Sequence, residues 1–194
     1  MRYWLALPFL TLAMSLGGCS GGNETWHAKD ISGLMPPLEF ELTGTGGNTV
    51  TEEDSSGSLR LLYFGFTSCP DVCPTTLTGL RQSIRQLPEP YRDDVTTLFV
   101  SVDPERDTPE RLQSYVQFFG EGIVGLTGAE DALRRLSKRY RTTFGYDEPD
   151  AEGNYNVSHS SAVYVFDRTG EARLLIRPGL TTAQISEDLS QLAR

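Results

Sequence analysis

Two cysteines separated by three residues, Cys69 and Cys73, stand in the stretch Phe64-Gly65-Phe66-Thr67-Ser68-Cys69-Pro70-Asp71-Val72-Cys73-Pro74. Each is followed by proline, which disfavours helical geometry at the residue before it, so both thiols are expected on a loop. Pro74 suits the first turn of a helix, where a missing amide proton costs little. The sulfurs are therefore expected near the positive end of that helix, and to ionise readily. Such a pair can bind a soft metal ion, exchange a disulfide, or form a structural disulfide. A bridge closing so short a loop stabilises a fold less than a longer one, and helix-end placement with the expected exposure favours a reactive pair.

A third donor would separate these fates. The 194-residue chain has two histidines, His27 and His159. His159 lies in Val157-Ser158-His159-Ser160-Ser161, just ahead of an apolar run, and a thioredoxin-like layout would bring that loop against the cysteines. Two thiolates and one imidazole suit Cu(I), and Cu(II) with one further ligand; zinc accepts the same set, but intrinsic affinity favours copper. The plainer reading of His159 is a strand-end histidine that hydrogen-bonds its own loop. His27, beside Trp26 in a polar segment, reads as solvated. Asp103 and Asp107 have the look of paired carboxylates. Their simpler reading is a strand end for Asp103 and a favourable charge ahead of a helix for Asp107. Asp71 reads as an exposed loop carboxylate, and Tyr63, Phe64, Phe66, Phe118 and Phe119 as core.

The chain has three cysteines, and the odd one, Cys19, follows Leu16-Gly17-Gly18 at the end of the apolar run Tyr3 to Leu16, behind Arg2. The run is short of the ~20 residues of a membrane-spanning helix. It reads as a secretory signal over 1–18 with a lipoprotein ending, which makes Cys19 the lipid attachment point. That places the protein in a bacterial cell envelope, on the periplasmic face in a diderm. Cys69 and Cys73 then sit alone in a compartment that oxidises thiols. Residues 19–33 read as a flexible tether and 34–194 as one domain. A formal charge of −9 argues against nucleic acid or an anionic membrane surface as the main partner.

The elements that must position these residues follow from periodicity. Leu38 to Leu42 alternates as a strand and Thr43 to Gly47 as its turn, giving an N-terminal hairpin. Leu59 to Phe66 is nearly continuously apolar, as in a central strand covered on both faces. Leu77, Leu80, Ile84 and Leu87 form a helical stripe ended by Pro88 and Pro90, and Val95 to Val102 is a second buried strand. Thr108 can cap a helix that starts at Pro109, carries Leu112, Tyr115, Val116 and Phe119, and stops at Gly120. The next helix directly follows, with Thr127 and Glu130 at capping-box spacing and Leu133, Leu136 and Tyr140 inside. Asp147 to Asn156 reads as loop. Ala162 to Phe166 and Ala172 to Ile176 form a hairpin, and Thr181 opens a last helix. This order predicts an α/β thioredoxin-like sandwich, a central mixed sheet flanked by helices with an N-terminal hairpin extension. The cysteines then lie at the carboxyl end of a central strand, where open α/β sheets bind ligands.

The segments from Phe64 through Cys69 and Cys73 to Leu77, from Ser101 to Pro109 with Asp103-Pro104-Glu105-Arg106-Asp107, and Ser158-His159-Ser160-Ser161 resemble the signature segments of the Sco (SenC) family. The likeness runs in order from about Leu34 to the last helix. It implies a membrane-tethered, thioredoxin-fold protein that binds copper and helps assemble the dinuclear copper centre of cytochrome c oxidase. By the same resemblance Cys69 and Cys73 match the cysteine ligands, His159 the histidine ligand, and Asp103 an accessory position near the metal. The implied partners are the copper-site subunit of the oxidase and other envelope copper carriers. Ser158 stands where many relatives have an aspartate, so the partner of the His159 ring must come from elsewhere. A lipid anchor at Cys19 replaces the more common transmembrane helix. Two roles fit: a copper chaperone that uses all three donors, and a thiol-disulfide oxidoreductase that reduces the oxidase cysteines and needs only the thiols. No proline adjoins His159, so the cis-proline of thioredoxin-like reductases is missing, and a peroxidase reading lacks an arginine beside Cys69.

Overall fold

The computed structural model describes residues 25–194. In chain order its elements are β1 (Lys29–Asp30), β2 (Glu41–Gly44), β3 (Thr49–Thr51), a 3-10 turn (Glu52–Ser55), β4 (Leu59–Gly65), α1 (Val72–Arg85), α2 (Glu89–Arg92), β5 (Val95–Ser101), α3 (Pro109–Phe119), β6 (Ile123–Thr127), α4 (Glu130–Arg139), β7 (Gly145–Tyr146), β8 (Val157–Ser158), β9 (Val163–Phe166), β10 (Ala172–Ile176) and α5 (Thr182–Leu192). An eight-stranded mixed sheet runs β1-β10-β9-β4-β5-β6-β2-β3, and β7 with β8 forms a separate ribbon. β4, β5 and β6 are parallel, while β9 runs antiparallel to β4.

Every residue of β4 is buried, as its nearly continuous apolar character requires, and Arg60, its one charged residue, donates to the carbonyls of Ser55 and Asp167. Alternation along the strand sends Tyr63 to one face, beside Phe99 of β5, whose ring meets Tyr115 of α3. Phe64 goes to the other, against Tyr164, which meets Tyr140 at the end of α4. Helices therefore cover both faces. Thr108 caps α3 by accepting the Arg111 amide, and Thr181 with Gln184 completes a capping box on α5.

Three expectations shift. A strand, β6, lies between α3 and α4 where the periodicity showed helix following helix. Gly125 interrupts its apolar run because a side chain there would stand 2.8 Å from Leu112 Cγ, so its absence lets α3 close on the strand. Thr127 consequently pairs with Thr43 of β2 and does not cap α4, whose N-cap is Ala129 without a side-chain bond. The first hairpin is displaced toward the C-terminus, with β2 at Glu41–Gly44 in place of Leu38 to Leu42.

Within the described part of the expected tether, the chain is already docked. Lys29 and Asp30 pair with Leu175 and Leu174 of β10, and the amides of His27 and Ala28 donate to the carboxylate of Asp188, which is 1% exposed. His27 Nε2 lies 3.0 Å from Glu187 Oε2. Packed chain therefore begins ahead of residue 34, because Asp188 satisfies two backbone donors there. Cys19 and the 1–18 segment lie outside the described residues. No helix among the described residues is long and apolar enough to cross a membrane.

Leu112 is fully buried between α3 and β6. Leu112→Ala is expected to cost about 2–5 kcal/mol of stability. Urea denaturation checks this as a lowered midpoint at unchanged slope.

Candidate metal centre

β4 ends at Gly65, and the chain crosses Phe66, Thr67 and Ser68 to Cys69 before α1 starts at Val72. Cys69 lies on the loop, but Cys73 lies in the first helical turn, because α1 starts at Val72, two residues ahead of the Pro74 that was expected to open it. The first turn needs no amide donors, so Pro74 is tolerated there without ending the helix before it. Asp71 occupies the N-cap position without a side-chain cap bond and instead receives the Thr75 hydroxyl at 3.3 Å. The Cys69 sulfur takes the capping role, accepting the Cys73 amide at 3.3 Å. Gly65 is required by close approach, since a Cβ there would lie 2.8 Å from Cys73 Sγ and 2.6 Å from the Phe99 ring.

His159 follows β8, whose Val157 and Ser158 pair with Tyr146 and Gly145 of β7. Its Nε2 lies 3.4 Å from Cys73 Sγ and 3.9 Å from Cys69 Sγ. Its Nδ1 lies 2.9 Å from the Ser160 carbonyl, which can only accept, so Nδ1 carries the proton and the Nε2 lone pair faces the sulfurs. The ring support that Ser158 could not supply thus comes from a backbone carbonyl. Phe66 and Tyr63 meet the imidazole at 5.6 and 6.1 Å between centroids, both edge-on. Burial lowers the His159 pKa and keeps the ring neutral. The three ligand atoms lie within 4.8 Å of one another, the only such group among the described residues.

Both cysteines are buried and unbridged, against the expected exposure. Burial, and then the neighbouring Cys69 sulfur, push the Cys73 thiol up to about 12, against the expectation that both thiols ionise readily. Desolvation outweighs the helix terminus at this sulfur. Cys69 instead borders an open pocket of about 410 Å³, with Asp71, Arg106, Tyr155 and His159 around it.

The two carboxylates after β5 are buried and do not join the donor set. Asp107 accepts the Thr67 amide at 2.8 Å, the Thr67 hydroxyl at 2.5 Å and the Ser101 hydroxyl at 2.5 Å. Asp103, expected as an accessory to the metal, accepts Arg106 Nε at 2.5 Å and the Tyr155 hydroxyl at 2.7 Å. Contrary to expectation, arginines do stand near Cys69. Arg106 lines its pocket, and Arg111 donates to Thr67 Oγ1 at 2.7 Å and Ser68 Oγ at 2.8 Å. Their side chains reach the cysteine loop from some forty positions downstream, and spacing alone carries no sign of that. Capping-type residues at Thr67 and Ser68 were the available signal for a loop tied from outside.

A family model described as SCO1/SenC matches residues 36–194. A putative copper-binding protein of Stutzerimonas stutzeri is 36% identical over 154 residues, covering 79% of this chain and 75% of that protein. The mitochondrial SCO1 homologue of Homo sapiens is 39% identical over 138 residues, covering 68% of this chain and 44% of its own length. The matched region is thus less than half of that relative, and half of the SCO2 homologue of Bos taurus. Among solved structures, apo Sco1 of Thermus thermophilus superposes with a TM-score of 0.77 at 34% identity, over 89% of this chain and 99% of that one. Copper-bound ScoI of Arabidopsis thaliana gives 0.74 at 31% identity, over 80% and 96%. On the family match and these relatives together, the chain belongs to the SCO1/SenC family.

Proposed function

We propose that this protein is a copper chaperone that holds one copper ion on Cys69, Cys73 and His159 and passes it to the copper-site subunit of a respiratory haem-copper oxidase. The observation that carries the reading is the neutral imidazole whose unprotonated Nε2 faces two unbridged sulfurs. Two soft sulfurs and an imidazole suit Cu(I), and Cu(II) with a further ligand from the pocket. Copper-bound relatives of Arabidopsis thaliana and Bradyrhizobium japonicum support copper as the cargo. Delivery is ligand exchange: donors of the acceptor replace those of the carrier in turn, and no covalent bond of a substrate is broken. Cys69, on the pocket wall, is the sulfur an acceptor or another envelope copper carrier reaches first. In this reading Cys19 carries the lipid that holds the domain at a bacterial envelope membrane. A Bacillus anthracis structure described as a SCO1/SenC family lipoprotein, 25% identical, supports that form of anchoring.

A second reading, reduction of the acceptor's cysteines, draws support from the adjacency of two free thiols. In that step Cys69 and Cys73 form a disulfide, and the acceptor's disulfide takes up two electrons and two protons. It needs no imidazole, so disulfide-peptide turnover that survives His159→Ala would favour it.

Three outcomes check the copper reading. His159→Ala in the reduced protein should weaken Cu(II) binding by at least the ~10–100-fold typical of losing a supporting group, and change the visible spectrum. Titration with unchanged affinity and spectrum overturns the reading. Because Cys73 keeps its proton up to about pH 12, copper uptake must displace it. Apparent affinity should therefore rise with pH through the neutral range, and calorimetry in buffers of different ionisation enthalpy should register proton release. Gly65→Ala places a methyl group 2.8 Å from Cys73 Sγ. It should lower stability by about 1–3 kcal/mol and weaken copper binding, read by denaturation and by titration.

A further inference from the structure

His159 is the only donor of the set that does not come from the Cys69–Cys73 turn, so something must hold its loop against that turn. One side is held by the β7–β8 ribbon, which ends at Ser158. Just ahead of that ribbon, the same approach to His159 is held at Tyr155 by a closed set of contacts. Asp103, buried at the end of β5, uses one carboxylate oxygen for the Tyr155 hydroxyl at 2.7 Å and the other for Arg106 Nε at 2.5 Å. Arg106 closes the ring by donating Nη1 to the Tyr155 carbonyl at 3.0 Å. Its guanidinium carbon lies 3.9 Å from the Tyr155 ring centroid and 5.9 Å from that of Phe66, whose ring meets His159. Tyr146, stacked edge-on with Tyr155, donates its hydroxyl to the Val102 carbonyl at 2.6 Å. Backbone and side chain of Tyr155 are thus both fixed to the end of β5, four positions ahead of the histidine.

We propose that Arg106, Asp103 and Tyr155 form a clasp that holds His159 on the cysteine pair, with Arg106 and Tyr155 as positioning residues for the imidazole. The inference rests on the copper reading above. Arginine is required at the centre because its planar fork reaches a carboxylate and a carbonyl together while its face stacks on an aromatic ring; lysine offers a point charge. Opening the clasp leaves the two thiols in place and frees the imidazole. The site then reduces to a dithiolate, which still satisfies Cu(I) but is short of donors for Cu(II).

The test compares wild type, Arg106→Met, Tyr155→Phe, His159→Ala and the double variant Arg106→Met/His159→Ala, as reduced protein under anaerobic titration with Cu(I) and with Cu(II). Tyr155→Phe keeps the ring and the carbonyl and removes only the bond to Asp103, so it remains informative if Arg106→Met does not fold. We expect Cu(II) affinity to fall ~10–100-fold in both clasp variants, as for other groups that support a metal ligand. Imidazole nitrogen couplings should be lost from the Cu(II) resonance spectrum, and Cu(I) affinity should hold. In the metal-free protein, amide exchange should accelerate over residues 155–160 and not over 69–77. The double variant should bind Cu(II) no more weakly than His159→Ala alone, since Arg106 acts through His159. Folded clasp variants with wild-type Cu(II) affinity and nitrogen couplings, or additive losses in the double variant, overturn the clasp. If His159→Ala itself leaves copper binding unchanged, it is the three-donor reading that fails.

Discussion

The buried carboxylate of Asp107 is the interaction on which the cysteine turn depends. Burying a charge is costly unless its oxygens are filled, and here three short hydrogen bonds fill them: two from Thr67, which opens the turn, and one from Ser101, which ends β5. Arg111 stands 3.8 Å away and itself holds Thr67 and Ser68. The turn after β4 is therefore welded to the end of β5, and Cys69 inherits its position from that weld. Asp103, four residues earlier, does the same for the histidine side through Arg106 and Tyr155. Two carboxylates at the end of one strand thus each hold half of the site, and neither has an oxygen to spare.

Much of this was legible in the sequence, for identifiable reasons. The Cys-x3-Cys spacing with its prolines located the sulfurs, and the continuous apolar run of β4 fixed where they emerge. The order of strands after Asn156 put His159 at the same end of the sheet. What stayed hidden was contact between residues distant in sequence. Asp107 was readable only as a charge ahead of a helix, because nothing in its neighbourhood announces a partner forty residues upstream. Gly65 reads as one more small residue in a strand, and only the approach of the Cys73 sulfur shows why a Cβ is excluded there. Strand β6 escaped because Gly125 breaks its apolar run, and the glycine is there to admit α3.

The thiols show two local rules in competition. Helix-terminal dipoles favour a thiolate, and burial favours the thiol. At Cys73, whose sulfur is packed under Gly65 and beside Tyr63, burial prevails. Cys69 instead borders the pocket and receives a helix-terminal amide. A pair that looks symmetric in sequence is therefore two different sulfurs, one facing the pocket and one beneath it.

Strand β1 has a consequence for orientation. It runs antiparallel to β10, with Lys29 level with Leu175, and through Tyr164 level with Leu62 at the middle of β4. Traced backward, pairing stops at Lys29, where the strand is directed toward the end of the sheet that bears Cys69, Cys73 and His159, three strands to one side. The clamp of Asp188 on the His27 and Ala28 amides fixes that direction. Asp188 thus joins the last helix to the edge strand, and losing its carboxylate would release both the pairing of β1 and the direction in which the described chain enters the sheet.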